Sequence, residues 1–381
     1  VIGLATAVDL ARLTEDPRDA EAARTWVAYA KSAAPTEPMS IVAAARLLPA
    51  DPAAMTALRT WLATAKPGYG TDQLVVFGYS TLITDAGARR AWGEVIEIAK
   101  AEYKLANEPA CLLVTSVDDD RFTVVAKVEG TVIGETATVP APSPPVVPPT
   151  IVGKLSSCRG IAVIGRNRTH GVADLLPAAY PWWFVGVGSR ATPVTSQNRG
   201  LQVIDVRPPE SLLDIQPLAA LAASTEKFDV TLAGADATPK RVLAELGTAT
   251  YAEIHAHGIV SGGRENAAFL ALSPDASGEF SLDAVDIRKA KLPSAPFIVL
   301  GACRAAAVAD VFRERWSLPD AFLVAGARGV VAADIAIPDA SARAVLDELH
   351  HRIAAGEDPA TALAAIRAAR GGWATHLMLF R

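Results

Sequence analysis

Cysteine is scarce: the chain has three in 381 residues, Cys111, Cys158 and Cys303, far apart and odd in number. That pattern excludes a secreted disulfide framework and a Cys-x-x-Cys zinc site. It makes a reducing compartment, the cytoplasm, the expected location. An excess of positive charge is missing too. Lys and Arg number 36 against 41 Asp and Glu, a net charge of −5, which argues against nucleic acid or an anionic membrane as the main partner. No apolar run reaches the ~18 residues of a membrane span, so the mean hydropathy of +0.25 reflects Ala and Val. A basic-then-apolar leader is absent, and the chain begins at Val1 without an initiator Met; trimming, and a further segment upstream, are expected. With 51% hydrophobic and 20% charged residues, the composition is not that of a disordered chain. The length suits about two or three domains.

What is present begins with a repeat. Residues 16–31 read DPRDAEAARTWVAYAK, and residues 51–66, 35 positions on, read DPAAMTALRTWLATAK. Asp-Pro opens a helix because Asp accepts from free N–H groups and Pro fits the first turn. Each copy follows an Ala/Leu-rich helical pattern, at 4–13 and 39–48, and a third hairpin is expected over 72–106. Two helices per period of ~34 residues is the layout of a tetratricopeptide-like (TPR-like) array, in which each hairpin buries its apolar face on the next. Trp26, Trp61 and Trp92 then read as core residues.

From Cys111 the period changes. CLLVTSV (111–117), RFTVVAKV (121–128) and TVIGETATV (131–139) are β-rich and separated by turn residues, which predicts a small antiparallel meander. VPAPSPPVVPP (139–149) follows as a polyproline-type linker. Beyond it, short apolar strands at 161–165, 183–188, 201–206, 229–234, 251–258, 297–303, 329–334 and 375–380 alternate with helices at 211–223, 238–246, 318–327, 339–356 and 358–369. Such alternation predicts an α/β domain with a mostly parallel sheet and flanking helices. The expected division is therefore 1–108 TPR-like helices, 109–150 meander and linker, and 151–381 the α/β domain.

Reactive groups in open α/β sheets gather beyond the carboxyl ends of strands. YAEIHAHG ends in His257-Gly258, and FIVLGAC ends in Cys303. As parallel neighbours these strands would bring an imidazole and a thiol to one crevice, the pairing a cysteine nucleophile needs. The N–H groups of Gly258 and Cys303 are candidates for an oxyanion hole. Read alone, a strand-end Cys is more often a small buried hydrophobe and a lone His a hydrogen-bonded core residue. His255 and His257 share a strand face, but no third ligand follows, so no metal or cofactor is expected. Arg304 borders the nucleophile. His350, His351 and His376 read as structural, Cys111 and Cys158 have no partner base, and residues 259–283 read as a hairpin or flap over the crevice.

These segments resemble the CHAT family of caspase relatives, often found beside tetratricopeptide repeats. LAGADATPKRVLAEL (232–246), EIHAHG (253–258), FIVLGAC (297–303), the block 320–370 and GGWATHLMLF (371–380) fall in the family's order, so the resemblance covers about residues 200–381. It implies a caspase-like fold, His257 as general base and Cys303 as nucleophile of a cysteine endopeptidase working through a thioester. There are two departures. Gly301 stands where Ser is usual before Ala-Cys, and Asp334-Ile335 replace Leu-Trp after the next strand. A carboxylate at that pocket-forming loop would suit Arg or Lys before the cleaved bond, so Asp334 is a candidate specificity residue; a solvated strand-end Asp weighs equally. Asp339 reads as a helix N-cap. The expected partners are a protein substrate and an activating protein docked on the N-terminal helices, in a bacterial defence or stress circuit. A catalytically silent scaffold, and a different cysteine hydrolase or acyltransferase, are the alternatives.

Overall fold

The computed structural model describes residues 36–49, 51–65, 71–105, 107–118, 120–139, 145–186, 199–209, 226–260, 268–307 and 317–381, with Glu21, Ala22, Arg24, Thr25, Ala28 and Ser32 in helical conformation. Two helix pairs open it: α1 (Pro38–Leu47) with α2 (Pro52–Thr64), and α3 (Thr71–Ala88) with α4 (Trp92–Tyr103). Asp51 caps α2 by accepting from the Ala53 N–H, with Pro52 in the first turn, as the repeat predicts. Most of the first expected hairpin, Trp26 included, and the helix expected at 211–223 lie outside the described residues. Among the described residues no helix is long and apolar enough to cross a membrane.

The meander is formed by β1 (Cys111–Asp118), β2 (Arg121–Val128) and β3 (Thr131–Thr138). A short helix, α5 (Pro149–Leu155), leads into β4 (Ile161–Arg166), β5 (Trp182–Phe184), β6 (Gly200–Ile204) and β7 (Val230–Ala233). After α6 (Pro239–Leu246) come β8 (Tyr251–His255), β9 (His257–Val260), β10 (Ala268–Ala271), β11 (Ser281–Asp283) and α7 (Ala284–Lys289). The chain ends with β12 (Phe297–Gly301), α8 (Leu318–Ala325), β13 (Gly329–Ala333), α9 (Asp339–Ala354), α10 (Pro359–Arg370) and β14 (Leu377–Phe380). Eleven strands form one sheet in the order β3-β2-β1-β4-β5-β14-β13-β12-β8-β6-β7, and β11-β10-β9 form a small antiparallel sheet. The large sheet is mostly parallel, but β14 runs antiparallel to β13, so the strands on its two sides point in opposite directions.

The meander is continuous with that sheet, because β1 pairs in parallel with β4 from Leu112↔Ala162 onward. Helices α3 and α4 pack on it: Ile83, Val95 and Ile96 bury against Leu112, Val114 and Ile164, and Trp92 lies over Gly134, where a Cβ would come within 2.5 Å of the indole. Arg166, fully buried at the end of β4, locks the joint. Its guanidinium donates to Glu102 of α4 at 2.6 and 3.0 Å, to Ser80 at 3.1 Å and to the Val76 carbonyl at 3.1 Å. The reading of the cysteines needs correction here. Cys111 and Cys158 form a disulfide, with Cα atoms 6.2 Å apart, because the β1–β4 pairing brings together residues 47 positions apart.

The C-terminal half is layered. Ile254, Ile298, Leu300 and Val330 face α8 residues Phe322 and Leu323 on one side. Val299, Val331 and Leu379 face Leu346, Leu349 and Leu363 of α9 and α10 on the other. Burial on both faces explains why these strands read as continuous apolar runs. The cap of α9 falls on Pro338, one residue before the expected Asp339.

Candidate active site

The strand expected over 251–258 is two strands. β8 ends at His255, one residue intervenes, and β9 starts at His257 and leaves the large sheet to pair with β10, Ala271 opposite His257 and Leu270 opposite Gly258. β8 and β12 are parallel neighbours, as expected, and their last pair is Gly301↔His255. Two residues beyond each member of that pair stand Cys303 and His257.

Gly258 meets Cys303 backbone to backbone. A Cβ on Gly258 would lie 1.9 Å from the Cys303 carbonyl oxygen and 3.4 Å from its nitrogen, so only glycine permits this approach. His257 and Cys303 are both half-buried, and Cys303 is a free thiol. The sulfur accepts from the Ile337 N–H at 3.3 Å, and the next backbone N–H, that of Arg304, donates to the Ile335 carbonyl at 2.9 Å. The loop after β13 therefore cradles the cysteine. Arg304 is exposed and has a φ of +53°; a left-handed residue that is not glycine costs about 1–2 kcal/mol, which marks a tight turn directly after the thiol.

Asp334 lies at the end of β13, with Oδ1 2.9 Å from His376 Nδ1. A carboxylate only accepts, so Nδ1 carries the proton. His376, expected as structural, is thus the partner of Asp334. His351 is exposed, and His350 is stacked on Tyr251 with ring centroids 4.2 Å apart.

A charged cluster lies behind the strand ends, and the sequence reading missed it. Glu253 is fully buried and accepts from Arg343 of α9 at 2.8 Å and from the Tyr251 hydroxyl at 3.1 Å. His255, 2% exposed, places Nε2 3.3 Å from the second Glu253 oxygen. Arg343 also pairs with Asp347, and His350 Nδ1 is 3.8 Å from Glu253. Burial opposes ionisation of Glu253, but the His255 hydrogen bond and the Arg343 charge outweigh it and hold the carboxyl below its ordinary value. The signal was in the sequence: Tyr251, Glu253 and His255 alternate onto one strand face, and His255 drew notice only as the neighbour of His257. Among the described residues no group of three or more His, Cys, Asp or Glu is placed to hold a metal ion.

Comparison with known families adds one match: the model of the CHAT domain fits residues 166–370. No curated protein matches the chain.

Proposed function

The chain belongs to the CHAT-domain family, and on that premise we propose that it is a cysteine endopeptidase with His257 as general base and Cys303 as nucleophile. The observation that supports this reading most is the contact of Gly258 with the Cys303 backbone, which joins the His-Gly strand start to a free thiol. In the proposed reaction His257 takes the thiol proton and the sulfur attacks the scissile carbonyl carbon. The Gly258 and Cys303 N–H groups receive the oxyanion. The imidazolium then protonates the leaving amine, and a thioester remains. Water, deprotonated by His257, adds to the thioester, and the carboxylic acid and thiol are restored.

Asp334 belongs to the same proposal as the acid that selects Arg or Lys before the cleaved bond; a basic side chain would share it with His376. The substrate is a protein, and an activating protein docks on the N-terminal helices, in keeping with a conditional protease of a bacterial defence or stress circuit. A cytoplasmic location is part of the reading, and the Cys111–Cys158 bridge weighs against it, since such bonds persist mainly in oxidising compartments. The test is covalent trapping. A peptidyl electrophile ending in Arg is expected to label the native chain at Cys303 and to spare the Cys303→Ala and His257→Ala variants; equal labelling of His257→Ala removes the proposed base.

A further inference from the structure

We propose that His255 is a positioning residue for the His257–Cys303 pair: its ring fills the space over Gly301, and its contacts to Glu253 and Arg343 fix the strand ends on which the pair stands. Three observations converge on it. Gly301↔His255 is the last rung of the β8–β12 ladder, so the separation of the two strands at this rung sets where His257 and Cys303 begin. A Cβ on Gly301 would lie 2.5 Å from His255 Nδ1 and 3.0 Å from Cε1. The serine that the family resemblance puts at 301 therefore does not fit beside this ring, and Gly301 and His255 form one arrangement made from two strands. The ring is held from behind as well. Its Nε2 is 3.3 Å from Glu253 Oε2 and 3.4 Å from Arg343 Nη1, while Arg343 is itself fixed by Glu253 and Asp347. Tyr251 and His350 close the remaining side of Glu253. A strand end held in this way cannot slide without breaking a buried charge pair, and the His257–Gly258 turn is carried with it.

The role rests on the dyad reading, but its test does not need a substrate. In the native chain under non-reducing conditions Cys111 and Cys158 are bridged, which leaves the Cys303 thiol to react with iodoacetamide. The measurement is the rate of that alkylation against pH on the full chain. Gly301→Ser crowds the ring, His255→Ser empties its place, and the double variant refills the space from the other strand. Each single change is expected to slow alkylation at neutral pH about tenfold, within the range for side chains in direct contact. The double variant is expected to recover most of the loss. Circular dichroism establishes that each variant is folded, and His255→Asn, which keeps a donor toward Glu253 and is expected to retain most of the rate, gives an independent reading if Gly301→Ser does not fold. Folded single variants with the native profile, or a double variant whose loss is the product of the two, overturn the proposal. His257→Ala separates the two readings: a profile that it leaves unmoved removes the dyad, whereas the coupling of 255 to 301 is read from the other variants.

Discussion

Glu253 shows how one side chain sets a local pH dependence. Its carboxyl is held below the ordinary glutamate value of 4.5, although burial alone would raise it. The folded state therefore binds this proton less readily than the unfolded chain. The contribution to stability is complete above 4.5 and is lost as pH falls through the lowered folded value. Glu253→Gln leaves Arg343 with Asp347 alone and removes its buried countercharge, and breaking such a pair costs about 3 kcal/mol. Denaturant midpoints are expected to separate the variant from the native chain at neutral pH and to converge as pH falls through the lowered Glu253 value, where the native carboxylate is also protonated. A gap of constant size across that range contradicts the assignment of the charge to Glu253. The alternation of Glu253 and His255 was visible in EIHAHG, but Arg343 was not, because it arrives from a helix 90 residues further along.

At the scale of elements, the sequence disclosed the two strand ends that matter and concealed how one of them turns. A short apolar run marked 251–258 as a strand, and nothing in Ala256 signals that the chain leaves one sheet there and enters another. The break is tertiary: β12 ends at Gly301, so β9 finds its partner in β10. Gly258 was read as an oxyanion-hole donor, and the structure sets it against the Cys303 backbone. Its substitution follows directly. In Gly258→Ala the new methyl would collide with the Cys303 carbonyl at 1.9 Å, so one strand end must shift. Overpacking of this kind costs about 1–3 kcal/mol, and the expected outcome is a folded protein with a modestly lower melting temperature and loss of Cys303 labelling by a peptidyl electrophile. Native labelling in that variant contradicts the packing. The start of the last helix was legible because its cap is local: Asp358 accepts from the Ala360 and Thr361 N–H groups; α7, capped just as locally by Asp283, was not read.

Across the whole molecule, the α/β class and the succession of strands along the chain were legible because each strand carries its own apolar run. The joining of the parts was not. Meander, linker and α/β segment read as separate in sequence, yet β1 pairs with β4 and Arg166 clamps α3 and α4 to the sheet; such contacts link residues tens of positions apart and leave no periodicity. The Cys111–Cys158 bridge was hidden for the same reason. At this scale the central claim is that a caspase-like sheet presents a working cysteine peptidase centre. The measurement that tests it most directly is cleavage of a randomised fluorogenic peptide library by the full chain, alone and with candidate activating proteins, beside Cys303→Ala. The account predicts cleavage that disappears in Cys303→Ala and falls after Arg or Lys, with that preference weakened in Asp334→Asn. Cleavage that survives Cys303→Ala would contradict it.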